Sequence, residues 1–281
     1  MLKQRIITAL LLLAVLLPAV FYPVPEVFAG VAVVVIAAAA WEWARMNQSG
    51  PLESFFVAGF CAAVCLLSWY CGLLYAPLKS VWLLAGSAWV ILGAWLLYRG
   101  VAVWSGVPQR LRLMGGVLAL WVAWMAVVHA RIEGINYLCS VFVLVWAADI
   151  FAYFAGRALG GRFFNRKLAP SISPGKTWEG ACGGMIGVVV CAFVWRYLDA
   201  SMSLGAASLY TRLAVVNVAF MVLALVFLAT MSIVGDLLES LFKRSAGIKD
   251  SSGLLPGHGG VLDRIDALLP ILPLAMMFST L

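Results

Sequence analysis

The most chemically suggestive part of this sequence is a polar stripe at the end of a long apolar run. The stripe consists of Asp236, Glu239, Ser240 and Lys243. Their spacing of i, i+3, i+4 and i+7 puts all four side chains on one face of a helix. Two carboxylates followed by a basic pair, Lys243 and Arg244, could hold a cation together with a phosphate. A helix end that simply meets water would show the same pattern, and this alternative stays open.

A glycine-rich segment follows the stripe and leads into the last apolar run. Three glycines within residues 257–260 allow a backbone to come close to a ligand. His258 between them could donate to a phosphate or hydrogen-bond within the loop. Asp263 and Asp266 are three residues apart and so share a helical face. Such acids can simply complement a helix dipole. Together with Asp236 they favour a site for Mg²⁺, which prefers oxygen ligands and shares them with substrate phosphates.

A third polar segment, residues 171–180, contains the tripeptide Gly-Lys-Thr at 175–177. This resembles the end of a phosphate-binding P-loop, but that motif needs a glycine at position 170, which is Pro170, and a preceding strand. We therefore exclude a P-loop. The sequence predicts a helix start instead, with Ser173 as the cap and Pro174 at the first helical position. A helix N-terminus with a lysine beside it can bind an anion.

Asp149 is a further candidate because it lies inside an apolar run. It precedes Arg157 by eight residues, so at about 1.5 Å per residue it lies roughly 12 Å along its helix from that end. It either pairs with a buried basic residue or serine, or faces a polar cavity that opens inwards. Both interpretations require the carboxylate to contact protein rather than lipid.

The elements that must position these residues are membrane-spanning helices. Of 281 residues, 64% are hydrophobic and 11% are charged, and the mean hydropathy is +1.03. Soluble domains have about 45–50% apolar and about 25% charged residues. The composition thus excludes a soluble globular enzyme, a disordered protein and a disulfide-stapled secreted domain. Long apolar runs favour helices over barrel strands.

We therefore expect an all-α, polytopic integral membrane protein with about nine transmembrane helices. The predicted spans are residues 6–22, 27–45, 55–78, 80–98, 113–130, 135–156, 179–198, 213–235 and 265–281. The first run lacks a convincing cleavage site and is interpreted as an uncleaved anchor helix rather than a signal peptide. Residues 1–134 form an N-terminal region of about five spans. Residues 135–281 form a C-terminal catalytic region with polar loops.

The basic residues predict the orientation of these spans. With the N-terminus in the cytoplasm and nine spans, fifteen of the 19 lysines and arginines lie on the inner side, as the positive-inside rule expects. The four on the outer side are Lys79, Arg131, Arg196 and Arg212. Seven of the last eight acids, all but Asp199, lie on or near the inner side. Nucleic-acid binding is excluded because no soluble basic domain is present to carry it.

The run from Ser240 to Asp266 resembles the signature of the phosphatidate cytidylyltransferase (CDP-diacylglycerol synthase) family. That signature is S-x-hydrophobic-K-R, four residues, K-D, a loop, then P-x-H-G-G, a hydrophobic residue and x-D-R-hydrophobic-D, and all its positions match over 27 residues. Residues 149–161, 173–180 and 235–236 also resemble family motifs. In the first half, the resemblance depends on hydrophobic character and the stretch Trp41-Glu42-Trp43.

The resemblance implies a multi-pass enzyme of the bacterial inner membrane whose active site faces the cytoplasm. It implies transfer of CMP from CTP to phosphatidate, with pyrophosphate as the second product. It further implies dependence on Mg²⁺, alone or with a second cation, and a homodimer in the lipid bilayer. Phosphatidate would reach the site sideways from the bilayer and CTP from the cytosol.

The resemblance implies which acids hold the metal, and the electrostatics of the reaction suggest roles for the other polar residues. The metal ligands it implies are Asp236, Asp263 and Asp266. Further catalytic residues are Lys243, Lys249 and His258. Substrate-binding residues are Asp149, Ser173, Lys176, Thr177, Glu239, Arg244 and Arg264. The phosphate monoester is already anionic, so the reaction needs charge neutralisation rather than a strong general base.

Two other classes of protein remain as alternatives to an enzyme. A transporter would show inverted repeats and polar residues near the midplane of both halves, whereas the polar residues here concentrate at one face of the second half. A structural scaffold would not need the residues from Ser240 to Asp266. A CDP-alcohol phosphotransferase is disfavoured because its acidic motif is missing from the sequence.

Overall fold

The computed structural model describes residues 2–202 and 205–280 of the chain. They form a helical bundle with one short β-hairpin, which confirms the predicted all-α polytopic class. The helices are α1 (Leu2–Phe21), α2 (Pro25–Met46), α3 (Pro51–Tyr70), α4 (Lys79–Arg99), α5 (Val101–Gly106), α6 (Gln109–Glu133), α7 (Ile135–Leu159), α8 (Trp178–Met202), α9 (Leu209–Val216), α10 (Val218–Ser245), α11 (Leu262–Ile265) and α12 (Leu268–Ser279). A 3₁₀ turn covers Leu73–Tyr75, and the strands are β1 (Lys167–Ala169) and β2 (Ser173–Thr177).

Within the described residues, eight helices are long and apolar enough to cross a membrane: α1 to α4, α6 to α8, and α10. The ninth predicted span, 265–281, differs from expectation. It consists of the end of α11 and the 12-residue helix α12, which is about 18 Å long, and Leu281 lies outside the described residues. Residues 270–276 are all buried, because α12 packs against α4, α6 and α10. The count of nine spans stays a prediction.

Contacts between helix ends identify two levels of the bundle. At one level, which we call the far end, Arg131 donates to the carbonyl oxygens of Val20 and Tyr22 at 2.7 and 2.5 Å. Arg212 pairs with Glu133 at 2.7 Å at the same level. The opposite level, which we call the site end, contains the last turns of α2 and α10 and the start of α8. Two basic residues predicted on the outer side, Arg131 and Arg212, thus share the far end.

Small residues bring α7 and α8 into close contact near the site end. A Cβ atom on Gly184 would lie 2.7 Å from the Ala148 carbonyl oxygen, and one on Gly180 would lie 2.9 Å from that of Ala152. Glycine at such positions lets helix backbones approach within a membrane, where close packing drives association. This contact fixes α7, which contains Asp149, relative to the hairpin that precedes α8.

The predicted helix start at Ser173 and Pro174 is wrong. These residues belong to β2, which pairs antiparallel with β1, with Lys167 opposite Thr177. The helix begins at Trp178, and its first turn is capped by Thr177, whose Oγ1 accepts from the Gly180 N–H at 3.1 Å. Proline is tolerated in this strand because a two-stranded sheet has only edge strands, where a missing N–H donor can face outwards.

Candidate active site

The polar stripe of α10 lies on one helical face, as its spacing predicted. Asp236 Oδ2 forms an ion pair with Lys176 Nζ at 2.5 Å, and its Oδ1 accepts from Ser240 Oγ at 3.4 Å. Glu239 lies one turn after Asp236, and it pairs with Lys243, which lies one turn further along the helix. The charged side chains of the stripe are therefore ion-paired within the protein, which a simply solvated helix end would not require.

Lys176 reaches Asp236 because the hairpin lies against α10. Under the hairpin, Ile172 packs with Leu237 and Leu241, and all three side chains are buried. Arg244 adds a hydrogen bond from its Nε to the Ile172 carbonyl oxygen at 3.4 Å. The apolar contact therefore holds β2 in place, and the lysine of β2 is directed to the acidic stripe.

Asp263 joins the last helical segment to the stripe and to the preceding loop. Its Oδ1 accepts from Lys243 Nζ at 2.6 Å. Its Oδ2 accepts from the Ser251 N–H at 3.0 Å and from the Gly260 N–H at 2.8 Å. The Ser251 hydroxyl lies 3.0 Å from the same oxygen, and its one proton can be donated to Asp263 or to another acceptor. Burial acts to raise the pKa of Asp263, but the hydrogen bonds from Lys243 and Gly260 outweigh it and lower the pKa to about 2. The carboxylate is therefore ionised at physiological pH.

Asp266 faces a different part of the site from Asp263. It follows α11, outside the eight spans, and its Oδ1 accepts from the Ala267 N–H at 2.7 Å. A Cβ atom on Gly235 would lie 2.7 Å from the Asp266 carbonyl oxygen, so only glycine allows α10 this approach. Burial, and then the negative charges of Asp236 and Asp149, raise the pKa of Asp266 to about 7. Acids from α7, α10 and the α11–α12 junction are thus close enough to repel one another.

The acids were tested against the predicted Mg²⁺ site. No three His, Cys, Asp or Glu side chains among residues 2–202 and 205–280 form a ready ligand cluster. Asp236 and Asp266 offer oxygen ligands, the kind a hard cation prefers, and a cation would relieve their mutual repulsion. Asp236 is already paired with Lys176, and Asp263 is bound by Lys243 and by the backbone N–H groups of Ser251 and Gly260. The chemistry of Asp236 and Asp266 is compatible with a hard cation, and the metal roles of Asp236, Asp263 and Asp266 all stay predictions.

An open apolar groove of about 480 Å³ leads to these acids. Its walls come from α2, α4, α5, α6 and α10 and include Trp43, Leu92 and Trp104. Glu239 and Asp266 line the same groove, and one buried oxygen of Glu239, Oε1, has no hydrogen-bond partner among the described residues. The groove can accommodate hydrocarbon chains and ends at polar atoms, so it suits a ligand with an apolar tail and a polar head.

The geometry agrees with the comparison of the chain with known protein families. Residues 3–281 match the family model described as the cytidylyltransferase family. The chain belongs to this family. It is 37% identical to a phosphatidate cytidylyltransferase of Haemophilus influenzae over 99% of this chain and 98% of that protein. It is 41% identical to the Pseudomonas aeruginosa protein of the same name over 97% of this chain and 95% of that protein.

The similarity is also high in the C-terminal half, where the acids and the hairpin lie. A phosphatidate cytidylyltransferase of Brucella suis is 43% identical over 148 residues, which are 53% of this chain and 48% of that protein. The two longer matches extend through the first half, for which the sequence offered few polar motifs. Family membership therefore applies to the whole chain.

Other residues predicted for the site of this cytidylyltransferase lie at its exposed rim or stabilise its backbone. Lys249 and Arg264 are exposed, and Arg264 Nε and Nη2 donate to the His258 carbonyl oxygen at 3.0 and 2.5 Å. His258 Nδ1 is buried without a partner in the described part of the chain. Ser173 lies in β2, and Thr177 caps α8. Their predicted roles with substrate stay predictions.

One residue of this site was not assigned a role from the sequence. Glu42, in α2, is completely buried and accepts hydrogen bonds from Ser251, Ser252, Val261 and Leu262. The available signal was an acid inside an otherwise apolar run, which is costly in a bilayer and indicates function. Its partners lie more than 200 positions away, so spacing alone could not identify them.

Proposed function

We propose that this chain is a phosphatidate cytidylyltransferase, which makes CDP-diacylglycerol and pyrophosphate from phosphatidate and CTP. The observation that carries the proposal is the apolar groove that ends at Glu239 and Asp266, beside Lys176 and Lys243. Phosphatidate has two hydrocarbon chains and a phosphate monoester, and so matches both parts of this arrangement. The names of the two full-length relatives support the same reaction.

The reaction joins two anions, so its main obstacle is electrostatic repulsion. An oxygen of the lipid phosphate forms a bond to the α-phosphorus of CTP, and the bond from that phosphorus to the bridging oxygen of pyrophosphate breaks. The monoester is ionised near neutral pH, so no side chain needs to remove a proton from it. Lys176 and Lys243 can neutralise phosphate charge in the transition state, which is the principal contribution of proteins to this chemistry.

Charged residues at the site form two groups with different access. Lys176 and Lys243 are partly buried and ion-paired, whereas Lys249, Arg244 and Arg264 are exposed. In this proposal the exposed group receives the triphosphate from the aqueous side, and the buried pair lies where the two phosphates meet. The lipid head would replace carboxylate contacts of the lysines as it binds.

Mg²⁺, alone or with a second cation, is the cofactor that we propose for this site. Asp236 and Asp266 would hold it, with Asp149 nearby and Asp263 as a further ligand if it releases Lys243. The supporting observation is the close approach of α10 to the α11–α12 junction, where a Cβ atom on Gly235, next to Asp236, would lie 2.7 Å from the Asp266 carbonyl oxygen. When bound, the ion would supply positive charge to the reacting phosphates and to the leaving pyrophosphate.

We also propose an inner-membrane location with the site end in the cytoplasm. Apolar helices and bacterial relatives support a multi-pass membrane protein, and the excess of basic residues predicted on the inner side supports the orientation. CTP would then reach the exposed rim directly. The homodimer is proposed from the family resemblance alone.

The proposal is tested with purified protein, phosphatidate, Mg²⁺ and labelled CTP. We expect labelled CDP-diacylglycerol and pyrophosphate in equal amounts, and no labelled lipid when diacylglycerol replaces phosphatidate. Ala88→Trp, which fills the groove from α4, should raise the KM for phosphatidate by about tenfold and leave that for CTP unchanged. The matched control is Ala63→Trp, on an exposed face of α3. Folded protein without either product would contradict the proposed reaction.

A further inference from the structure

Glu42 is an acid of the first half that binds both ends of a loop in the second half. Its Oε2 accepts from Ser251 Oγ at 3.1 Å and from the Leu262 N–H at 2.8 Å. Its Oε1 accepts from Ser252 Oγ and, at 2.9 Å, from the Val261 N–H. Each oxygen therefore binds one group from the start of the loop and one from its end. We call residues 251–262 the clamped loop.

The carboxylate is completely buried, and among the described residues no lysine or arginine forms an ion pair with it. The hydrogen bonds from its four partners compensate for the removal of the Glu42 carboxylate from water, because a buried charge without hydrogen bonds costs several kcal/mol. Gly260 permits the contact, since a Cβ atom there would lie 2.0 Å from Ser251 Oγ and 2.5 Å from Glu42 Oε1. Glycine at position 260 therefore allows the loop to approach the Glu42 carboxylate this closely.

The clamp continues into the polar network of the site through Ser251. Ser251 Oγ lies 3.1 Å from Glu42 Oε2 and 3.0 Å from Asp263 Oδ2, and its backbone N–H donates to the same Asp263 oxygen. Asp263 in turn binds Lys243 at 2.6 Å. A displacement of the clamped loop would therefore move the partner of the lysine that the reaction needs.

We propose that Glu42 is a positioning residue for cytidylyl transfer. By holding both ends of the clamped loop against α2, it sets the place of Asp263 and, through Asp263, of Lys243. It does not touch the substrates. The inference rests on the proposed function, because its effect is measured as product formation.

The test uses Glu42→Gln, which keeps the size of the side chain and changes its hydrogen bonding. All four partners of Glu42 are donors, whereas a glutamine offers one acceptor oxygen and an NH₂ group that donates. Whichever way the amide is turned, one backbone N–H loses its acceptor, and the serine beside it must change from donor to acceptor. We expect kcat to fall by about tenfold or more, and the KM for CTP to change by less than about twofold.

Asp199→Asn is the matched control for a purely structural effect. The Asp199 carboxylate also accepts four hydrogen bonds from side chains and a loop, namely from Asn136, from Ser208 N–H and Oγ, and from Thr211. It lies at the far end, away from the acids of the site. We expect this variant to lower the melting temperature at least as much as Glu42→Gln and to keep kcat within about twofold of the unmodified protein.

A second comparison tests whether Glu42 acts through Ser251. If it does, Glu42→Gln combined with Ser251→Ala should lower kcat no further than the more severe single substitution, because both break one chain of contacts. Should Glu42→Gln fail to fold, Ser251→Ala with Ser252→Ala removes two donors and leaves the carboxylate in place. We expect a similar fall in kcat.

Three results would overturn the inference: a kcat for Glu42→Gln within about twofold of the unmodified protein, equal losses in Glu42→Gln and Asp199→Asn, or fully additive losses in the double variant. If only the double serine variant folds, an unchanged kcat in it overturns the inference as well. The proposed function fails separately, when the unmodified protein makes no CDP-diacylglycerol.

Discussion

At the scale of residues, the site is a set of opposite charges that satisfy one another before any substrate is bound. Lys176 pairs with Asp236, and Lys243 pairs with both Glu239 and Asp263. Charges this close to the hydrocarbon region are tolerated only when they are paired or face a polar cavity. Because the lysines are already held near the acids, an incoming phosphate can exchange partners with little rearrangement.

The ion pair of Asp236 with Lys176 should matter for activity far more than for stability. Its side chains are 25% and 33% exposed, and pairs of this exposure contribute at most about 1 kcal/mol. Asp236→Asn should lower product formation by about 100-fold or more with a small change in melting temperature. Glu133→Gln, which breaks the far-end pair with Arg212, is the control and should leave turnover unchanged. Equal activity in both variants would contradict the assignment of Asp236.

The lowered pKa of Asp263 predicts a loss of stability in acid. The pKa falls from its ordinary value of 3.8 to about 2, so the contribution is complete above pH 4 and disappears as the pH falls towards 2. Its size is about 2 kcal/mol. Melting curves recorded with a chelator between pH 6 and 2 should show this loss, and Asp263→Asn should have a shallower slope. Parallel slopes would show that Asp263 is not held by these contacts.

At the scale of elements, short and irregular segments do most of the positioning. The hairpin β1–β2 directs Lys176 to α10, and the clamped loop directs Asp263 to Lys243. Neither segment could hold these side chains without a long helix behind it: α10 supports the hairpin through Leu237 and Leu241, and α2 supports the loop through Glu42.

The contact of α7 with α8 predicts a strong effect of one added methyl group. Gly184→Ala would place a Cβ atom 2.7 Å from the Ala148 carbonyl oxygen, so the helices must separate. Overpacking of this kind costs about 1–3 kcal/mol, and we expect a lower melting temperature together with reduced turnover. Gly59→Ala in α3, where no atom lies within 4 Å of the added carbon, should change neither. Wild-type behaviour of Gly184→Ala would show that the close packing is not required.

At the scale of the whole molecule, the bundle joins an open apolar groove to a charged site at one end. The groove has walls from both halves of the chain, since Trp43 and Trp104 belong to the first half and Phe242 to the second. A ligand that remains partly in the bilayer can therefore present its head group to the acids. This arrangement explains why charged residues concentrate at one level of the bundle.

The orientation of the bundle is tested with reporter fusions at its two ends. Gln48 follows α2 at the site end, and Gly205 follows α8 at the far end. We expect a fusion at residue 48 to report the cytoplasm and a fusion at residue 205 to report the periplasm. The reversed pair of signals would place the site on the outer side, where CTP is not supplied, and would contradict the proposed location.

Patterns that depend on near neighbours were predictable from the sequence. Hydrophobic runs identify spanning helices, and the spacing of Asp236, Glu239 and Lys243 identifies one helical face, because both depend only on helix geometry. The family signature likewise lies within one continuous stretch. The strand at Ser173 was not predictable, because capping signals occur at both Ser173 and Thr177 and only pairing with β1 decides between them.

The sequence by itself determined a helical membrane protein with an acidic and basic centre in its second half. Only the tertiary structure decided that Asp263 binds Lys243 while Asp266 lies near Asp236, and that Glu42 holds the clamped loop from more than 200 positions away. Such contacts depend on how the helices pack in three dimensions, which local spacing does not encode. The positions of the charged residues along the chain are apparent from the sequence, whereas their partners depend on the packing of the helices.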